Sequence, residues 1–281
     1  MGRACRHQLR TVFTIELGIS NLAWKAEDDA LIYDKMQELG FTALEIAPTR
    51  WAVRDPYEDR NIVLAQKIIN DLQRNYSFQI RSMQSILFGV SERIFYGDQE
   101  RIKLLAYLRK AITYASEIGC NNIVFGCPKN RNIVDYEIQY EVGVEFFYEL
   151  AQFAQEKNIR FSIEANPLIY NTNYINTTQQ AVQLIRQVNC RAFGLNLDLG
   201  TMIENKEDLQ EINTYLEYIN HVHISEPYLA VIQERREHKE LLQILRSGCY
   251  NKAVCLEMKL NEDVHQLLGS MAYISSVYYG N

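Results

Sequence analysis

At 281 residues and 47% hydrophobic content, the chain can bury a sizeable core as one large α/β barrel or two small domains. A formal net charge of −6 without a dense Lys/Arg run argues against a general nucleic-acid binder. No window approaches the roughly 18 apolar residues needed to cross a bilayer, so no membrane partner is expected.

Met1–Arg10 is basic, but the following residues include Glu16 and lack the continuous apolar run of a secretory signal. Residues 1–12 read as an N-terminal extension of one domain spanning 1–281, and a cytoplasmic location is expected. Strand Thr14–Ile19 leads to a helical pattern over Asp29–Leu39, and Ala43–Ala47 to Asn61–Asn75. Strand Gln79–Gln84 precedes Glu100–Ile118, Asn122–Phe125 precedes Tyr140–Lys157, and Arg160–Glu164 precedes Thr178–Val188. Phe193–Asp198, Ile219–His223 and Ala253–Glu257 precede helices over Lys206–Tyr218, His238–Ser247 and Glu262–Val277. Gly40, Gly119 and Gly248 sit where helices commonly end in a left-handed residue, and Thr177 or Thr178 can cap the helix that follows. Eight strands alternating with helices predict a parallel sheet closed as a (β/α)8 TIM barrel.

The last four strands each end on a metal-binding or acid/base residue: Glu164, Asp198, His223 and Glu257. Spacings of 34, 25 and 34 residues allow a strand, a loop and a crossover helix each time. Strand C-terminal ends converge in such a barrel, so these side chains are expected in one cleft. Three carboxylates and one imidazole suit a divalent metal, Mn²⁺ first, with Mg²⁺, Co²⁺ or Zn²⁺ as alternatives. A metal there can polarise a sugar carbonyl and its neighbouring hydroxyl, and Glu164 and Glu257 can then move a proton through an enediolate. Singly, an acidic residue at a strand end is as readily a solvated group or a helix cap; four in succession are harder to explain that way.

Other candidates lie on the same face. Lys129 and Arg131, in Phe125–Arg131, are either solvated or hold an anionic substrate group. Glu45 and Gln84 either bond sugar hydroxyls or satisfy a polar layer of the barrel. His221 shares a face with His223 but lies one layer deeper, as a core or supporting residue. His238, at a helix start, reads as a cap or surface residue. The six cysteines form no CxxC pair and read as reduced thiols, with Cys127 an inert packing residue.

The motifs LEIAP (Leu44–Pro48), SMQSILFG (Ser82–Gly89), VFGCPKNR (Val124–Arg131), IEANP (Ile163–Pro167), NLDLGTM (Asn196–Met202), HVHISEP (His221–Pro227) and LEMK (Leu256–Lys259) run nearly the whole chain. In order and spacing the chain resembles the xylose isomerase-like TIM-barrel superfamily, in its sugar phosphate isomerase/epimerase branch. That resemblance implies a carbohydrate substrate, metal ligands Glu164, Asp198, His223 and Glu257, and proton exchange by the two glutamates. Substrate contacts are expected from Glu45, Gln84, Lys129, Arg131, Asn166, Thr201, His221 and Glu226, and a homo-oligomer is compatible with it. Two departures stand out: Thr201 replaces a histidine of the ketose 3-epimerases, and Leu229 stands where they carry an arginine. The substrate grip is therefore expected to differ. Two other readings are a catalytically silent sugar-binding or assembly barrel and an endonuclease IV-like repair enzyme; Gln84 and Thr201, where that enzyme carries zinc-binding histidines, oppose the latter.

Overall fold

Eight short strands pair in sequence order, all parallel, and the eighth returns to the first. The structure, a computed structural model, describes residues 15–280, with residues 136–138 described by backbone only. Thr14 and the expected extension 1–12 lie outside those residues. The strands are β1 (Glu16–Ser20), β2 (Ala43–Ile46), β3 (Gln79–Met83), β4 (Asn122–Phe125), β5 (Arg160–Glu164), β6 (Phe193–Asp198), β7 (Ile219–Ile224) and β8 (Ala253–Leu256). They are buried almost throughout, as expected for a sheet covered by helices outside and filled by side chains inside. Closure runs from Glu16 beside Ala253 to Ile19 beside Leu256. At that seam a Cβ on Gly18 would lie 2.5 Å from Cys255 Sγ and 2.8 Å from Ala43 O, so only glycine admits this approach.

The helices are α1 (Asp29–Glu38), α2 (Asp59–Tyr76), α3 (Asp98–Glu117), α4 (Tyr136–Glu156), α5 (Thr178–Val188), α6 (Leu199–Asn205), α7 (Ile212–Tyr215), α8 (Arg236–Ser247) and α9 (Val264–Tyr279). Their apolar faces pack on the barrel wall. Phe147 of α4, for example, meets Phe125 of β4 and Phe193 of β6 at ring-centroid distances of 5.2 and 5.4 Å. Among the described residues, no helix is long and apolar enough to cross a membrane. Beneath the C-terminal ends, the barrel interior carries a hydrogen-bonded chain from Ser82 through Asn122 and Ser162 to Asn220, with links of 2.7–3.1 Å.

Two expectations need correction. The single helix over Lys206–Tyr218 is absent. Helix α6 instead starts directly after β6, because Asp198 accepts the Thr201 N–H at 2.6 Å as its N-cap. The chain reverses at Lys206 (φ 56°) and continues as two 3-10 turns flanking α7. Gly40 and Gly119 adopt left-handed φ, but Gly248 has φ −82° and the left-handed residue is Cys249. Gly248 is needed for space, since a Cβ there would collide with Leu216. Thr177 does form a full capping box with Gln180 at the start of α5.

Candidate metal and proton-transfer site

Four strand ends bring Glu164 (β5), Asp198 (β6), His223 (β7) and Glu257 (just after β8) together. One ligand-type atom from each lies within 4.8 Å of the others. His223 Nδ1 is 3.0 Å from Glu164 Oε2 and 3.1 Å from Glu257 Oε2. All four residues are buried. Asp198 is a helix cap and also a member of the cluster: one oxygen takes the Thr201 N–H and the other the Ser225 hydroxyl.

Three buried carboxylates around one imidazole carry excess negative charge. Burial and then the Glu164 charge push the Asp198 carboxyl up from its ordinary range. Burial pushes Glu257 up as well, against the opposing charge of His223. Burial alone would lower His223, but the charges of Glu45 and Glu257 and the bonds to Glu164 and Glu257 hold it well above its ordinary value. An oxygen-rich set with one imidazole and unbalanced negative charge fits a divalent cation, which would replace the protons these groups otherwise retain.

The surrounding shell fixes these side chains. Glu164 accepts from Asn166 Nδ2 at 2.9 Å and from Asn196 Nδ2 at 2.6 Å. Asn196 Nδ2 also lies 3.1 Å from His223 Nδ1. Behind the ring, Glu45 sits 2.9 and 3.1 Å from His223 Nε2 through its two oxygens and takes Gln84 Nε2 at 3.0 Å. A carboxylate there keeps the proton on Nε2, so that Nδ1, which faces the cluster, is the nitrogen a cation would take. Burial would raise the Glu45 carboxyl, but the His223 charge and the bonds to His221 and His223 outweigh it and hold it below the usual range.

Several sequence expectations change at this depth. Glu45 is 0% exposed and touches His223, His221 and Gln84, so it stands behind the imidazole in the buried polar layer. Arg131, read as solvated or anion-binding, is also 0% exposed. It donates to Glu164 O at 2.8 Å and Asn166 Oδ1 at 2.6 Å, and so buttresses the end of β5. His238 is no surface residue: it is fully buried, with Nδ1 3.1 Å from Tyr273 OH. Glu226 is buried and engaged by Arg235. Thr201 donates its hydroxyl to Ala165 O at 3.0 Å, and Gln84 also reaches Ser20 at 2.8 Å. His221 lies under His223 at a ring-centroid distance of 5.3 Å. Lys129 is exposed on the turn after β4. Cys127 is buried, and burial pushes its thiol up to about 12.

Sequence reasoning missed Asn196 and Ser225. Both stand two residues from a named ligand, Asn196 before Asp198 and Ser225 after His223. The two-residue repeat of a strand puts each on its ligand's face, so the signal was present.

A family described as "Xylose isomerase-like TIM barrel" matches residues 33–271. A probable ketose 3-epimerase from Synechocystis sp. is 25% identical over 215 residues, covering 74% of this chain and 70% of that protein. Among solved structures, a 3-keto-D-glucoside 4-epimerase from E. coli superposes with a TM-score of 0.76 at 18% identity, covering 94% of this chain and all of that one. A D-psicose 3-epimerase from Clostridium cellulolyticum H10, solved with D-tagatose, gives 0.72 at 19% identity, with 95% and 98% covered. With its closed eight-stranded barrel and a match over residues 33–271, the chain belongs to the xylose isomerase-like TIM-barrel family.

Proposed function

We propose that this protein is a metal-dependent isomerase or epimerase of a sugar or sugar phosphate, working by proton transfer through an enediolate. The observation that carries this reading is the convergence of Glu164, Asp198, His223 and Glu257 at the C-terminal ends of β5–β8. The probable ketose 3-epimerase and the two sugar epimerases named above support the same substrate class. A divalent ion held by the four residues, Mn²⁺ first, would polarise the substrate carbonyl and acidify the neighbouring C–H.

The chain's own groups then move the proton. In this reading Glu164, fixed by Asn166 and Asn196, takes it from carbon. Glu257, whose Oε2 approaches the same His223 Nδ1 as Glu164, returns it in this reading. Delivery to the opposite face of the same carbon gives an epimer, and delivery to the neighbouring carbon gives the aldose–ketose isomer. Lys129, exposed on the β4 turn, is available to an anionic substituent such as a phosphate.

The test is solvent-deuterium incorporation, read by NMR, with Mn²⁺-loaded protein and a panel of sugars and sugar phosphates in D₂O. The wild type should label a substrate carbon. Glu257→Gln and Glu164→Gln should each lower turnover by about two orders of magnitude while folded protein persists. Near-normal turnover in either metal-loaded variant would eliminate the two-carboxylate reading.

A further inference from the structure

The loop after β7 contains two consecutive non-glycine residues in the left-handed region, Tyr228 (φ 63°, ψ 18°) and Leu229 (φ 51°). Such backbone is costly for side-chain-bearing residues and persists only where its surroundings enforce it. Here they do. The buried Glu226 carboxylate takes Arg235 Nη2 at 2.6 Å, Arg235 Nε at 2.8 Å and the Gln233 N–H at 2.9 Å. Leu229 donates its N–H to Glu226 O at 2.9 Å and receives the Lys259 N–H at 3.0 Å. Gly200 in α6 lacks the Cβ that would strike Ser225, so the start of the loop lies directly on that helix.

What this held loop displays is an aromatic ring. Tyr228 is 61% exposed, and its ring meets Tyr170, from the 3-10 turn after β5, at 6.5 Å and an interplanar angle of 63°. Tyr170 lies on the turn that follows β5, the strand that ends at Glu164, and Tyr228 on the turn that follows β7, the strand that carries His223. The pair therefore bridges the β5 and β7 loops on the face where the strands end at the buried cluster. Tyrosines suit such a role because they offer rigid apolar faces with few torsions to freeze.

We infer that Tyr228 and Tyr170 form an aromatic subsite at the barrel mouth for a ring that extends beyond the reacting sugar, so that the preferred substrate is a glycoside or other two-ring sugar whose reacting ring keeps a free carbonyl. A monosaccharide bound at the four strand ends has its polar partners in the buried shell. The exposed Tyr228 ring is open to a substituent that projects outward. The apolar C–H face of a second sugar ring, or an aryl group, is complementary to the tyrosine face.

This inference rests on the sugar-processing reading, so its test separates the two. Saturation-transfer NMR titrations of Mn²⁺-loaded wild type, Tyr228→Ala and Tyr228→Phe would use as probes a phenyl glycoside whose sugar ring carries a ketone and the same keto monosaccharide without the phenyl group. The wild type should bind the glycoside more tightly. Tyr228→Ala should lose roughly three- to tenfold in glycoside affinity, a larger factor than for the monosaccharide, and Tyr228→Phe should restore it. Equal losses on both probes, or no wild-type preference, would overturn the subsite. So would an unchanged affinity accompanied by a changed oligomeric state of Tyr228→Ala in sedimentation, which would make the ring an interface residue. Failure of the proposed reaction would show separately, as absent deuterium incorporation with either compound.

Discussion

A methyl group added at Gly126 would stand 2.5 Å from Glu164 Oε1 and 3.0 Å from its carboxyl carbon. Gly126→Ala should therefore displace the carboxylate proposed to take the proton. We expect turnover to fall at least about tenfold, since misplacements of this size are costly to catalysis. The thermal midpoint should move little, and unchanged turnover would show that Glu164 tolerates the shift. Glu45 makes a complementary case. Glu45→Ala should weaken Mn²⁺ binding, measured by calorimetry, by about 10–100-fold, the usual effect of removing a carboxylate behind a ligand histidine. Wild-type affinity would detach Glu45 from the metal. At this scale the sequence revealed the face on which a residue lies. Acid and imidazole side chains closing apolar runs marked Glu164, Asp198, His223 and Glu257 for one cleft. Depth was hidden, because it depends on what packs above: Arg131 and Glu45 are on the expected face, yet both are 0% exposed.

Strands were the most legible elements, because each is a short apolar run bounded by turn residues; Asn122–Phe125, Arg160–Glu164 and Phe193–Asp198 match residue for residue. Helix ends followed where local chemistry decides them, as at Thr177. Removing that cap by Thr177→Ala should cost about 1 kcal/mol in urea unfolding, and no change would show the capping box idle. Helix α6 was illegible because its start depends on Asp198, a residue that ends a strand and caps a helix at once. Its Gly200 is a tertiary requirement. Gly200→Ala should cost about 1–3 kcal/mol by forcing the β7 loop outward, read as a lowered thermal midpoint. Full stability would mean that the loop yields freely.

The whole molecule should register the cluster through pH. In the metal-free protein Asp198, Glu257 and His223 all have raised pKa values, so the native state binds more protons than the unfolded chain. For the two carboxylates this stability is complete below their unfolded range, about 4, and is lost as pH rises through about 6 for Asp198 and about 7 for Glu257, whereas the His223 share is complete below about 6.5 and is lost only well above it. Glu45 acts oppositely but only at acid pH, because its carboxyl is held low. A bound cation removes the repulsion, so the rise in thermal midpoint on adding Mn²⁺ should be larger at pH 8 than at pH 5.5. Equal rises would deny the carboxylates this role. The seam between β1 and β8 reaches further still. It joins segments more than two hundred residues apart, and pairing over such a span is entropically the slowest to form. While the chain is being synthesised, β1 presents an open edge until the last strand has left the ribosome. Glu257 follows that same strand, so the protein gains its complete reactive cluster only as its sheet ceases to have edges to offer a neighbour.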